Sequence, residues 1–440
     1  MAGQAVTARE VLGDWAEPIP ARQPGWRVAS GAGVQAVVNR AVRDALARQD
    51  PAPIVIALDP GRYAGPVILP DLRIAGRAVP VSLQGAGAGC THLEASLHIR
   101  MTGNAYRKAH AARFADSPEP VRAVFERLAG SDVIGPHFSG VLTLCGDGAE
   151  ISGLSIRNLY GCDRRGGEPL EEGAVRSLEG RWSDETHQAY ALYLGGARAR
   201  LEGLVLSSFQ DTLYLAGGGA EGALVRGCRI EGDVDFVFGP ATGFFDRCEI
   251  RSLGVRSPNS WAVAPSTPLG QRFGLVFDAC DFTHDGSPLA QAARCRLGRQ
   301  WFSGVRATPY GVPDVPGYSC RLGAVSAYDP PRGTISRETL LAVGKCRVQR
   351  SRIGAHIDPR APWDDWKGGQ YHADGRWLGV RWGPRFRPVQ TGLKDLLRHL
   401  EGWPDLRLLE LPDPEETDPF LSLQDCTFAR QSAFAAACHS

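Results

Sequence analysis

The chain has 440 residues, and 49 Lys+Arg against 48 Asp+Glu leave a net charge of +1. Such a balance creates no global field that would recommend nucleic acid or a charged membrane as partner, and no window is long and apolar enough to span a bilayer. The 11 cysteines are scattered singly, without a Cys-x-x-Cys pair or a zinc-type His spacing, so they read as core thiols or an occasional disulfide, and no metal or other cofactor is expected.

Taken in order, the first residues, Met1 to Glu10, lack the basic start and apolar run of an export signal, and the chain as numbered reads as soluble. Residues 33 to 47 put apolar side chains at helical spacing and predict a short amphipathic capping helix. The period then changes. Ile54–Leu58, Pro60–Tyr63, Pro66–Leu69 and Val81–Gly85 are short strands punctuated by Gly and Pro. The run Gly85-Ala-Gly-Ala-Gly89 is not followed by an amphipathic helix, so a turn explains it better than a nucleotide loop. Three stretches look like excursions: 103 to 137, with a helix-like segment Pro120–Leu128; 163 to 186, polar and rich in Gly and Glu; and 303 to 340, rich in Pro, Gly and Tyr. Excursions of that length usually flank a cleft. From about 390 a tail holds a helix, Gly392–Leu400, and a last apolar-containing segment expected to cover the side or end of the core.

A weak repeat organises the middle. Ile151-Ser-Gly-Leu-Ser-Ile156, Leu201-Glu-Gly-Leu-Val-Leu206, Val225-Arg-Gly-Cys-Arg-Ile230, Phe245-Asp-Arg-Cys-Glu-Ile250 and Phe277-Asp-Ala-Cys-Asp-Phe282 share one pattern, and Val343-Gly-Lys-Cys-Arg-Val348 is read as continuing it. The step from Leu204 to Cys228 to Cys248 is about 20 to 25 residues, the length of one solenoid turn. One turn cannot bury its inward face alone, so turns must stack and the Leu/Cys position becomes an internal ladder. The predicted fold is all-β: a parallel β-helix over about 33–370, with 371–440 as a tail packed on it, in a single domain. A β-sandwich would not explain why the Cys keeps its place between two apolar residues.

The chemistry concentrates in four motifs: His187-Gln-Ala-Tyr-Ala-Leu-Tyr193, Phe209-Gln-Asp-Thr-Leu-Tyr214, Gly232-Asp-Val-Asp-Phe-Val-Phe-Gly239 and Leu297-Gly-Arg-Gln-Trp301. A carboxylate inside a run that fills like a buried strand must be paired or functional, because leaving it bare costs several kcal/mol. Asp235 is such a group, while Asp233 reads as the structural acid. Gln188, Asp211 and Asp235 are each about one turn apart and should lie over one another, with neighbouring strands about 4.8 Å apart. Two acids that close offer an acid beside a nucleophile. His187 and His356 lack partners at ligand spacing and read as structural.

These motifs resemble those of the pectin methylesterases, carbohydrate esterases built on a right-handed parallel β-helix. Gly61–Tyr63, Ala264–Thr267, Gly274–Phe277 and Ile353–Ile357 also fit that family. The resemblance implies that Asp235 is the nucleophile, that Asp211 is the acid that protonates departing methanol and then activates water, and that Gln188 and Gln210 hold the oxyanion. It further implies that Arg299 orients Asp235 and keeps it ionised, and that Trp301 and Tyr193 contact sugar rings. The partner would be pectin, a methylated polygalacturonate, handled by a monomer that is secreted or periplasmic. Gln300 departs from the family, which usually has proline between the Arg and the Trp. A polygalacturonase- or pectate-lyase-like enzyme on the same scaffold is the rival; a lyase should show clustered acids around Ca²⁺, and no such cluster is visible. A non-catalytic polysaccharide-binding solenoid would have no reason to keep the five polar residues together.

Overall fold

The structure is a computed structural model that describes residues 5–18, 21–135, 139–160, 188–254, 260–311, 317–329, 331–368, 385–413 and 418–429. Successive coils of the chain give short strands in turn to three sheets, of ten, nine and seven strands, and the last two coils reach only the first two sheets. The first sheet runs from Trp26–Val28 to Leu421–Gln424, the second from Gly61–Ala64 to Thr427–Phe428, and the third from Val67–Leu69 to Cys295–Gly298. Successive coils pair in parallel, for example Leu201↔Val225↔Phe245↔Phe277 along the first sheet. This is the expected parallel β-helix.

The repeat has a local cause. At seven coils only two residues link a first-sheet strand to a second-sheet strand, and the first of the two is left-handed: Gly153, Gly203, Gly227, Arg247, Ala279, Arg350 and Asp425, all with φ between 50 and 62°. Glycine enters that region without steric penalty, which accounts for its place in the earlier coils. The second residue points inward. Leu154, Leu204, Cys228, Cys248 and Cys280 are at most 1% exposed, as the ladder requires. Sulfur suits this position because it is both apolar and a weak acceptor. Cys228 Sγ takes the Leu204 N–H at 3.4 Å, and Cys280 Sγ takes the Cys248 N–H at 3.4 Å.

Two expectations change. Cys346 is not on the ladder: it pairs with Leu275 within the first sheet, and the ladder position of that coil is Ser351, whose Oγ accepts the Cys280 N–H at 3.0 Å. The shift arises because Val343 and Val348 mimic the apolar ends of the motif five residues too early. The last apolar-containing segment does more than cover the solenoid, since Leu423-Gln-Asp-Cys-Thr-Phe428 repeats the motif and forms another coil on both sheets. The nine cysteines among the described residues are free thiols.

The predicted capping helix spans Val34–Arg48, and its apolar stripe of Val34, Val37, Val38, Ala41, Val42 and Ala45 closes the N-terminal end of the core. Helices Gly103–Phe114 and Glu119–Ala129 fill the first excursion and bury Tyr106, Phe114, Val121 and Phe125. The second excursion, 163 to 186, lies outside the described residues. The third folds into a small sheet of Ser319–Gly323, Ala327–Asp329 and Arg332–Ser336. The tail helix spans Leu393–His399. Near the N-terminus, Val11, Leu12 and Ala16 lie on Leu224, Phe244 and Val276, the outward side chains of the first sheet. Among the described residues no helix is long and apolar enough to cross a membrane.

Candidate active site

The third sheet carries the acids. Its register pairs Leu213 with Val237, so Asp211 and Asp235, each two residues upstream, fall on successive coils at about the 4.8 Å strand spacing. The Asp211 N–H donates to Val234 O at 3.0 Å and locks that alignment. Both aspartates sit in left-handed backbone, φ 66° and 52°, a conformation that costs an L-residue about 1–3 kcal/mol and persists only where packing enforces it. At Asp235 the strain coincides with a register irregularity between Val234 and Val237 against the next coil. An irregularity of this type re-aims a side chain: Phe236 is fully buried, while Asp235 keeps 8% exposure.

Arg299 reaches Asp235 from two coils away. Its Nε and Nη2 donate to the two carboxylate oxygens at 2.9 and 2.7 Å, a bidentate pair that leaves little rotational freedom to either partner. The guanidinium spans the intervening coil by lying on the Trp261 ring, 3.7 Å from its centroid, and Trp261 Nε1 donates to Asp364 Oδ2 at 3.0 Å. Trp261 and Asp364 therefore position Arg299, and sequence reasoning singled out neither. They are 103 residues apart, and only the coil stacking brings them together. Asp233 is fully buried and accepts the Val234 N–H at 2.7 Å, which fits a structural acid.

Gln188 and Gln210 lie just ahead of the acids on adjacent coils, tied by the Ala189 N–H donating to Gln210 O at 3.1 Å. Both are half-buried. The aromatic residues form a continuous packed column beside them. Tyr193, Tyr214 and Phe238 share one register position, Tyr214 stacks on Phe238 at 4.2 Å, and Trp301 stands edge-on to Phe238 at 5.7 Å. Trp301 is half-buried. Tyr193 is only 5% exposed, so it underlies the column and offers little surface of its own. Burial, and then the Asp211 charge, push the Tyr214 hydroxyl up to about 12 and that of Tyr190 well above its ordinary value, so both stay neutral donors.

His187 lies outside the described residues. His356 is fully buried, as a structural residue should be, yet neither ring nitrogen has a hydrogen-bond partner. Among the described residues no group of three or more His, Cys, Asp or Glu is arranged to hold a metal.

The family comparison bears on this geometry. The sequence model of the Pectinesterase family matches residues 178–307, the stretch that holds both acids, both glutamines, Arg299 and Trp301. Over that stretch the chain is similar to the pectinesterases. It is 28% identical over 292 residues to pectinesterase B of Pectobacterium parmentieri, covering 63% of this chain and 66% of that one, and 26% identical over 315 residues to a pectinesterase of Sitophilus oryzae, covering 70% and 74%. The match thus spans just under two thirds of the bacterial relative. Among solved structures, the rice weevil pectin methyl esterase superposes with a TM-score of 0.62 over 96% of this chain and 94% of that one at 19% identity. Pectin methylesterase PemA from Erwinia chrysanthemi gives 0.53 over 83% and 88% at 21% identity. These likenesses show a shared fold.

Within this fold Gln300, the departure from the pectinesterase pattern, has a defined job. It is 2% exposed, and its amide donates to Val343 O, Gly344 O and Gln390 O at 2.7, 3.0 and 2.9 Å while accepting the Gln390 N–H at 2.9 Å. A proline could do none of this. The residue between Arg299 and Trp301 instead clamps two other pieces of chain beneath the site.

Proposed function

We propose that the protein hydrolyses methyl esters of polygalacturonate and releases methanol. The observation that carries this reading is the Asp235 carboxylate, held in a strained backbone and gripped at both oxygens by Arg299, one coil from Asp211. An Asp235 oxygen attacks the ester carbonyl carbon. The oxyanion that develops accepts hydrogen bonds from the Gln188 and Gln210 side-chain amides, neutral donors that stabilise charge as it forms. The bond between the acyl carbon and the methoxy oxygen breaks as Asp211, protonated at this stage, gives its proton to that leaving oxygen, and methanol departs. Asp211, now a base, takes a proton from water, which attacks the acyl carbon of the Asp235 anhydride; the Asp235 carboxylate leaves, and the galacturonate acid remains. Trp301, with the exposed margin of Tyr193, supplies the apolar face against which a sugar ring lies.

The same reading places the chain outside the cell membrane, where pectin is found, as a monomer. Methanol release from highly methylated pectin, with mass analysis of the polymer, tests it. The expected result is methanol, an intact backbone and no loss of activity on chelation, with no methanol from Asp235→Asn, whose amide is no substitute nucleophile. Shortened or unsaturated oligosaccharides from a pure preparation would move the assignment to a glycosidase or a lyase.

A further inference from the structure

Along the solenoid axis Asp211 has Asp235 on the coil after it and Tyr190 on the coil before. The N–H groups on either side of Tyr190, those of Ala189 and Ala191, donate to the carbonyls on either side of Asp211, Gln210 O at 3.1 Å and Thr212 O at 2.9 Å. The Asp211 N–H fixes the next step by donating to Val234 O at 3.0 Å. Tyr190, Asp211 and Asp235 therefore follow one another on three successive coils, with backbones about 4.8 Å apart from one coil to the next. The Tyr190 ring is 2% exposed and is held from two sides, 5.6 Å from the Tyr214 ring and 5.5 Å from that of Phe238. Those rings belong to the residues three places after Asp211 and three places after Asp235, so the Tyr190 side chain leans along the axis towards the coils of the acids and not away from them.

Packing accounts for the ring but not for the hydroxyl. A buried tyrosine O–H ordinarily has a partner, yet that of Tyr190 makes no hydrogen bond to another described residue. After burial, the charge of Asp211 is the chief cause that holds it well above its ordinary value, so it keeps its proton and remains a donor. The ester cleavage offers the missing partner. One oxygen has to be placed at Asp211 twice, as the methoxy oxygen when it leaves and as water when it attacks. A single hydrogen bond from Asp211 sets the distance of that oxygen without setting its direction, whereas a second donor, carried by a ring that packing holds still, sets both.

We propose that Tyr190 is a further catalytic residue: its hydroxyl donates to the oxygen that exchanges a proton with Asp211, first the methoxy oxygen of the ester and then the hydrolytic water. This rests on the esterase reading. Tyr190 keeps its own proton throughout. In the first half its O–H holds the methoxy oxygen while the bond to the acyl carbon breaks and Asp211 transfers its proton there. In the second half the same O–H holds the water oxygen while Asp211 takes one of the water protons, the oxygen bonds to the acyl carbon and the Asp235 carboxylate leaves. A neutral donor suits this place, since another charge one coil from Asp211 would shift the protonation that both halves need.

The test is Tyr190→Phe, which removes the hydroxyl and keeps the ring against Tyr214 and Phe238. On methylated pectin kcat should fall about 10–100-fold, the scale of one hydrogen bond to a group that carries charge, with KM little changed. The double variant with Asp211→Asn separates this from a loss of packing: both groups act on the same oxygen, so Tyr190→Phe should cost clearly less once Asp211 is an amide. Losses that multiply in full overturn the proposal, and so does an unchanged kcat in Tyr190→Phe. If Tyr190→Phe melts early, a fluorinated tyrosine at position 190 takes its place, because it keeps the shape and the hydroxyl and makes the hydroxyl more acidic; kcat on methylated pectin must then change, and an equal kcat overturns the assignment. Methanol release by the intact protein together with an unchanged kcat in the variant ends this proposal alone, whereas no methanol from the intact protein ends the esterase reading and the proposal with it.

Discussion

Replacing Gln300 by alanine would remove the amide that ties two distant stretches of chain to the residue between Arg299 and Trp301. Four buried hydrogen bonds disappear. Val343 O keeps a partner in Arg387, whereas Gly344 O and both backbone groups of Gln390 lose theirs. Three orphaned groups at about 1–1.5 kcal/mol each give a destabilisation of about 3–4 kcal/mol. Spread over a cooperative melt of 440 residues, with an unfolding entropy of about 2.1 cal/mol/K per residue, this is a shift of only about 4 °C. The local readout is sharper. The Gln390 amide should exchange its hydrogen about 10²–10³-fold faster, since each 1.4 kcal/mol is a factor of ten. Activity should fall with it, because the same side chain fixes the backbone from which Arg299 reaches Asp235. Unchanged Gln390 exchange together with unchanged melting would show that the tail is held by other contacts and that the clamp is incidental.

Two further predictions concern the acid and the buried histidine. Asp211→Asn should cost about 10²–10⁴ in kcat on methyl esters, the usual scale of general acid–base catalysis, and clearly less on an activated aryl ester whose leaving group needs no proton; equal losses on the two esters would refute its role as acid. Burial first, then the His284 charge, with Asp285 opposing, hold the His356 imidazole at about 3. Its unfolded value is about 6.5, so between these limits the unfolded chain binds the extra proton, and stability falls as pH drops through the window by about 1.4 kcal/mol per unit. His356→Leu, which sacrifices no hydrogen bond at the ring nitrogens, should flatten the denaturation profile between pH 6.5 and 4, and parallel profiles for parent and variant would count against this account.

The coil motif was legible because it is local. A left-handed residue followed by an inward Leu or Cys leaves the same six-residue trace wherever it occurs, and the spacing of Asp211 and Asp235 follows from it. The same locality misled at Cys346, where an apolar pair at the right separation imitated the motif, and it hid Cys426, whose coil follows a long interruption. What could not be read were contacts made across coils. Trp261 and Asp364 support Arg299 only because the third sheet stacks their strands, and nothing near either residue in the chain distinguishes it from a packing aromatic or a turn acid. Gln300 stands out in the sequence only as a departure from the family pattern; its four partners come from two segments at least 43 residues away in sequence.

The two-residue turn between the first and second sheets keeps its length while everything else varies. Between ladder residues the chain travels 24 residues from Leu204 to Cys228, 20 from Cys228 to Cys248, 32 from Cys248 to Cys280, 71 from Cys280 to Ser351 and 75 from Ser351 to Cys426. All the extra length leaves from the opposite side, between the second and third or the third and first sheets. Loop closure costs only about 0.6 kcal/mol per doubling of length, so segments there can be lengthened or exchanged cheaply while the turn keeps every coil in register. Grafting a foreign loop at 303–340 should thus be tolerated far better than a single residue inserted at Gly227, which would rotate every later side chain away from its partner.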